Sequence, residues 1–278
     1  MSAKAIAIAT RFAIYTRAMR LMAAVAVIAL APSAFGSAIV DEARRYGRDF
    51  KAIVLAPAHW NRTQWGGAAL TIGTIAVLMH EDEHIARSIQ ARRNSSTDSI
   101  ARAVTPIGGG RGLQLSVAII GVGLLTKNHA VRDTGRDAFE SEIIAAGVIT
   151  PLLKKAFGRA RPNQDETNSH DFDPFSAQES FPSGHTTNAF ALASAVAGHS
   201  RGWVVPTIAY TVASSVAFAR MNDNVHWASD VLAGAAIGTA TGHMIVQRHR
   251  PSPQRAEWWL LPIVGKRGGG FMMRVTTR

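Results

Sequence analysis

Three clusters in the second half of this 278-residue chain bring together residue types that hold and transfer an oxyanion. The first is Leu152-Leu153-Lys154-Lys155-Ala156-Phe157-Gly158-Arg159-Ala160-Arg161-Pro162. Lys154 and Arg161 stand seven positions apart, a spacing that predicts one helical face two turns apart, with Pro162 ending the helix. Cations near a helix C-terminus also complement its dipole, so the pair has a structural reading in which Lys155 and Arg159 are ordinary solvated charges. The second cluster, Phe181-Pro182-Ser183-Gly184-His185-Thr186-Thr187, immediately precedes an apolar helix from Asn188 to Gly198. The unpaired N–H groups of a helix start, a Ser hydroxyl and a Gly with no side chain to obstruct approach make a phosphate cradle around His185. The plainer reading makes Ser183 an N-cap and His185 a first-turn surface residue. The third cluster, Arg220-Met221-Asn222-Asp223-Asn224-Val225-His226-Trp227-Ala228-Ser229-Asp230, opens the last long helix. His226 and Asp230 at i and i+4 on a helix let the carboxylate fix one imidazole nitrogen and leave the other to attack. The same two residues can instead cap and solvate a helix start. Each cluster alone admits both readings; their joint occurrence favours chemistry.

The rest of the chain must position these groups. At 47% hydrophobic and 18% charged residues, it can bury one sizeable core, which excludes a disordered or collagen-like chain. The absence of cysteine excludes disulfide scaffolds, thiol catalysis and Cys-ligated metal sites. Thirty Lys and Arg against nineteen Asp and Glu give a formal charge of +11, which favours anionic partners.

Apolar stretches run from Gly66 to Met79, Gly112 to Thr126, Ala138 to Phe157, Thr186 to Gly198, Trp203 to Ala219 and Ala228 to Val246. They predict an all-α fold, a bundle of about six core helices. Most fall short of the ~20 residues needed to cross a bilayer, and the mean hydropathy is only +0.07, so buried bundle helices are the simpler expectation. Trp203 to Ala219 comes closest to a span. Residues 39–65 read as a short helix followed by a loop. Lys4, Arg11, Arg17 and Arg20 precede the apolar run Leu21 to Ala31, so residues 1–38 read as a signal peptide or N-terminal anchor of an exported protein. Residues 39–250 then form the helical domain. Residues 251–278 form a basic, aromatic tail in which two extended segments flank Gly268-Gly269-Gly270, a C-terminal β-hairpin.

The ordered set Lys154 … Arg161-Pro162, Pro182-Ser183-Gly184-His185 and Arg220 … His226 … Asp230 resembles the type 2 phosphatidic acid phosphatase (PAP2) and vanadium haloperoxidase superfamily. The resemblance spans roughly Gly66 to Val246. It implies that His226 attacks phosphorus to give a phosphohistidine, that Asp230 orients and charges it, and that His185 protonates the leaving alcohol. It further implies that Lys154, Arg161, Arg220 and the Ser183 and Gly184 amides hold the phosphoryl oxygens, with no metal and no cofactor. Ala219 departs from the family, which usually places a Ser before the arginine, so one hydroxyl contact to phosphate is missing. The residues read alone agree: cations from separate segments, a helix start, one oriented histidine and one further histidine are the parts metal-free phosphoryl transfer to nitrogen requires.

Rival readings remain at this level. His80-Glu81-Asp82-Glu83-His84 fits the His-Glu-x-x-His pattern of zinc proteases, but no third ligand follows at a protease spacing, and a charged helix end is the simpler expectation. A haloperoxidase holds vanadate with the same motifs, and a noncatalytic anion-binding bundle follows if either histidine is displaced from the pocket. The expected substrate is a phosphorylated small molecule or a lipid phosphate. Arg248, Arg250, Arg255, Lys266, Arg267, Arg274 and Arg278 beside Trp258, Trp259 and Phe271 suit either an anionic membrane surface or a solvated tail. No nucleic-acid-binding motif is present, and the sequence leaves the oligomeric state open.

Overall fold

The computed structural model describes residues 33–165, 167–250, 256–265 and 268–277. Most of the signal or anchor segment expected over residues 1–38 therefore lies outside the described residues. The helices are α1 (Ser33–Leu55), α2 (Arg62–Ala91), α3 (Ser95–Val104), α4 (Gly110–Leu125), α5 (His129–Glu142), α6 (Thr150–Phe157), α7 (Gly184–His199), α8 (Val204–Asn222) and α9 (Ala228–His249). Short 3-10 turns occupy Ala56–His59 and Thr105–Gly108, and Ile143–Ile149 is a π-helical stretch joining α5 to α6.

Residues up to Thr74 and residues from Ile75 onward form two compact units. In the first, α1 is a 23-residue helix where the sequence predicts a short one, and the loop expected after it shrinks to a single 3-10 turn. Asn61 and Gln64 then start α2 reciprocally: the Gln64 N–H donates to Asn61 Oδ1 at 3.0 Å and the Asn61 N–H to Gln64 Oε1 at 2.9 Å.

In the second unit α7 is the central helix, packed against α9, α8 and α5. Its approach to α9 is set by glycines one turn apart. A Cβ on Gly234 would lie 2.6 Å from the Ser183 carbonyl, one on Gly238 2.3 Å from that of Thr187, and one on Gly242 2.7 Å from that of Ala191. Only a hydrogen at those positions lets the backbones meet this closely. The buried residues between the helices are correspondingly small, with Ala189, Ala191, Ala193, Ala195, Ala213 and Val216 prominent. At the C-terminal ends of α7 and α9 the buried Asp137 of α5 pairs with His199 Nε2 at 2.8 Å and His249 Nδ1 at 2.7 Å. The N-terminal ends of the same two helices carry the second and third motifs.

The expected helical fold is present, with two differences in its surface and its length. Helix α8 is the one described helix long and apolar enough by itself to cross a membrane, and the pair α3–α4, bent by 57°, passes the same test together. Both carry exposed apolar side chains, Val204, Val205, Ile208 and Phe218 on α8 and Leu115, Val117, Val122 and Leu124 on α4, so these helices are not the buried core pieces the hydropathy predicts. Helices α3 and the first half of α5 were invisible as apolar runs because both are polar and half exposed. In the tail, β1 (Ala256–Gly265) and β2 (Gly268–Thr277) pair antiparallel, with Trp258 opposite Val275 and Leu260 opposite Met273.

Candidate active site

The first motif is not one helical face. Helix α6 stops at Phe157, and Gly158 takes a left-handed conformation, φ +54°, donating its N–H to the Lys154 carbonyl at 2.8 Å. Beyond it the backbone is extended: Arg159 bridges Phe172, and the Ala160 N–H donates to the Asp171 carbonyl at 3.0 Å. Lys154 therefore comes from a helix and Arg161 from an extended segment, and the two are joined by a glycine turn instead of two helical turns. Arg161 is nonetheless close enough for its charge to bear on Lys154, His185 and His226. Burial, assisted by Arg161, pushes the Lys154 ammonium down to about 8. Its Nζ donates to the Glu179 carbonyl and lies 3.5 Å from that of Ser180.

The two arginines of this segment differ in burial, Arg161 being partly exposed. Arg159, expected to be a solvated charge, is fully buried. Its Nη1 donates to Asp230 Oδ1 at 2.6 Å and to Ser229 Oγ at 2.7 Å, its Nη2 to Asp82 Oδ2 at 2.8 Å, and its Nε to the Ser169 carbonyl at 2.8 Å. Its guanidinium lies over Phe172 and Trp227, with centroids at 5.3 and 5.5 Å.

The second motif opens α7. Ser183 occupies the N-cap position without a side-chain cap; its Oγ accepts from Thr186 Oγ1 at 3.0 Å, and its N–H donates to the Asp230 carbonyl at 3.0 Å. The Ser183 amide is thus engaged within the protein, which leaves its hydroxyl and the Gly184 amide as the cradle of this turn. His185 is half-buried, not a first-turn surface residue. The 3-10 turn Thr105–Gly108 walls it: a Cβ on Gly108 would lie 2.6 Å from its carbonyl and one on Gly109 3.4 Å from its Nε2. Burial, then the charges of Arg220, His226, Lys154 and Arg161, push His185 down to about 4.

His226 lies in the turn before α9, and Asp230 in its first turn, so the pair closes across a helix start and not along a helix. His226 Nδ1 is 3.5 Å from Asp230 Oδ2, within ion-pair reach but beyond hydrogen-bond range, and the buried Nδ1 has no hydrogen-bond partner among the described residues. Asp230 Oδ2 accepts from the Trp227 N–H at 2.9 Å and from Ser180 Oγ at 2.5 Å. Burial raises the Asp230 carboxyl, but His226, Arg159 and Ser180 outweigh it and hold it below its ordinary range, so it is ionised. Burial pushes His226 down to about 4 against the pull of Asp230, so the imidazole is neutral near pH 7. Arg220 is set at the end of α8 by Thr105 Oγ1 at 3.1 Å and Asp223 Oδ2 at 3.0 Å.

His80-Glu81-Asp82-Glu83-His84 lies inside α2, not at a charged helix end. His80, Glu81 and His84 are exposed, and no third His, Asp or Glu donor closes on the two histidines among the described residues. Asp82 is fully buried and reaches the active-site network instead.

The arrangement places a neutral histidine oriented by an ionised carboxylate, a second histidine, three cations and a helix start around one space. Sequence reasoning missed Arg159, Asp82, Ser180 and Thr105.

A family model described as PAP2 superfamily matches residues 141–253, the span holding all three motifs. The chain is 41% identical over 93 residues to a lipid A 1-phosphatase of Porphyromonas gingivalis, a match covering 33% of this chain and 18% of that protein. It is 38% identical over 100 residues to a lipid A 1-phosphatase of Rhizobium etli, 34% of this chain and 42% of that one. With lipid phosphate phosphatase 1 of Arabidopsis thaliana it shares 28% identity over 147 residues, 42% and 45% of the two chains. The chain spans less than half the length of these curated relatives. The crystal structure of a transmembrane PAP2 type phosphatidylglycerolphosphate phosphatase from Bacillus subtilis superposes with a TM-score of 0.50 at 22% identity, covering 65% of this chain and 94% of that one, and shares the helical fold.

Proposed function

We propose that this protein is a metal-independent phosphatase acting on lipid phosphates through a phosphohistidine at His226. The observation that carries the reading is the neutral His226, backed by the ionised Asp230, in the same space as His185, Lys154, Arg161 and Arg220. His226 Nε2 attacks phosphorus, forming the N–P bond as the P–O bond to the alcohol breaks. The imidazolium-like charge is met by Asp230. The departing oxygen takes a proton from His185, whose pKa rises once an anionic phosphate offsets the surrounding cations. Water then attacks the phosphohistidine and gives its proton to His185. The N–P bond breaks, inorganic phosphate leaves, and His226 is neutral again. Lys154, Arg161, Arg220, Ser183 Oγ and the Gly184 N–H hold the equatorial oxygens as charge spreads over them.

Three features support a lipid substrate over a soluble phosphomonoester. The relatives are named for lipid A and lipid phosphates. The outer sides of α4 and α8 expose Leu115, Val122, Leu124, Val204 and Ile208. Between these helices and α7 runs an apolar groove lined by Ile107, Leu115, Leu192, Val196, Ile208 and Val212. We read the protein as exported and membrane-associated in the cell envelope, its apolar sides against lipid.

The test is phosphate release by purified protein in detergent with EDTA, comparing phosphatidic acid, an isoprenyl diphosphate and a water-soluble phosphomonoester. EDTA-resistant, vanadate-inhibited release that is fastest from a lipid is the expected result. No release, with bromide oxidation once vanadate and peroxide are added, contradicts it.

A further inference from the structure

We infer that Asp82 is a positioning residue for the His226–Asp230 pair, acting through Arg159 from a helix that carries none of the three motifs. The inference rests on the phosphohistidine reading above. The network is closed. Arg159 places Nη1 on Asp230 Oδ1 at 2.6 Å and Nη2 on Asp82 Oδ2 at 2.8 Å, so one guanidinium is shared by two carboxylates. Asp82 Oδ1 accepts from the Ser229 N–H at 2.9 Å, and the Ser229 hydroxyl donates to Asp82 Oδ2 while accepting from Arg159 Nη1 at 2.7 Å. Asp82, Arg159, Ser229 and Asp230 are all fully buried.

Burial raises the Asp82 carboxyl, but every one of its contacts is with a donor, Arg159 and the Ser229 N–H and hydroxyl, an environment that favours the ionised form. Asp82, Arg159 and Asp230 then sum to one negative charge in a fully buried site, and His226 becomes positive beside them as its N–P bond forms. Without Asp82 the cluster is neutral and the whole guanidinium is left to Asp230, drawing that carboxylate away from the imidazole. Asp82 also fixes position, because its bond to the Ser229 N–H holds the first turn of α9 in which Asp230 sits. A stability role alone needs none of this sharing. Removing one member of a buried charged network is costly on any account, so the test must separate catalysis from folding.

The experiment is a double-mutant cycle in full-length protein, reading kcat and KM for phosphate release from phosphatidic acid in wild type, D82N, D230N and D82N/D230N, with each variant checked for folding by circular dichroism and gel filtration. The expected result is a kcat loss of about 10- to 100-fold in folded D82N with KM within twofold, and little further loss when D82N is added to D230N. A kcat within twofold of wild type in folded D82N, or a loss that multiplies fully with that of D230N, overturns the inference. Should D82N not fold, R159K is read in the same cycle, since one ammonium cannot serve Asp82, Ser169 and Asp230 together; the same two outcomes decide. Wild-type protein that releases no phosphate at all contradicts the phosphatase reading instead, which keeps the two failures distinct.

Discussion

The Ser183 N–H donates to the Asp230 carbonyl at 3.0 Å, tying the start of α7 to the first turn of α9. Through this one backbone bond the turn bearing His185 and the turn bearing His226 are set at a fixed separation. The glycines of α9 make it possible, by letting the two helices approach within backbone contact along their length.

Gly238→Ala tests that dependence. Its Cβ would sit 2.3 Å from the Thr187 carbonyl, against backbone that cannot rotate away, so α9 must move outward. The variant is expected to lose about 1–3 kcal/mol of stability, seen as a drop of several degrees in the thermal midpoint. An unchanged midpoint contradicts the close packing.

Lys154 should set the alkaline side of the pH profile. Burial lowers its ammonium to about 8, and once it is neutral the phosphate loses a cation. A decline of kcat/KM above about pH 8 is expected in wild type, because kcat/KM reports groups of the free enzyme. Lys154→Arg keeps its charge throughout, so its decline should vanish or move well upward; an identical alkaline limb in both proteins rules Lys154 out as its origin.

Glu142 offers a stability prediction away from the chemistry. It is buried in the core, accepting from Asn188 Nδ2 at 3.0 Å and held against Ser116 Oγ at 2.5 Å, and burial pushes its carboxyl up to about 7. Its folded pKa lies above the unfolded value of 4.5, so the stability it contributes is fully present below about pH 4.5 and is lost as pH rises through about 7. Glu142→Gln cannot ionise and fits the same two partners. It should match wild type near pH 5 and exceed it by about 2 kcal/mol at pH 8.5, as measured by denaturant unfolding. Equal stability at both pH values contradicts the shift.

How far the sequence carried this account depends on the kind of signal. Long apolar runs located α4, α7, α8 and α9 to within a few residues, because each is apolar along most of its length, α7 and α9 against neighbouring helices and α4 and α8 partly on the exposed surface. Helix α3 is half exposed and polar, and its start is written in the capping residue Asn94, which accepts from the Ser96 and Thr97 amides at 2.9 and 3.1 Å. The motif residues were legible because their spacings are specific, yet the local geometry behind the spacings was not. A seven-residue separation of Lys154 and Arg161 fits an ideal helix as well as it fits a helix, a left-handed glycine and an extended segment. In sequence, Arg159 reads as a solvated charge and Asp82 as part of a charged helix end, because charge is usually solvated. Each is buried only because the other is there, 77 positions away, and no local pattern encodes a pairing at that distance.

The central claim is that His226 is the nucleophile, and trapping the intermediate tests it most directly. Wild-type protein and His226→Ala are mixed with a lipid phosphate labelled on phosphorus, quenched with alkali within one turnover and digested. The account predicts an acid-labile, alkali-stable label on the peptide containing His226 in wild type, and neither label nor turnover in a folded His226→Ala protein. Appreciable phosphate release by folded His226→Ala, or a label carried by any other residue, would contradict it.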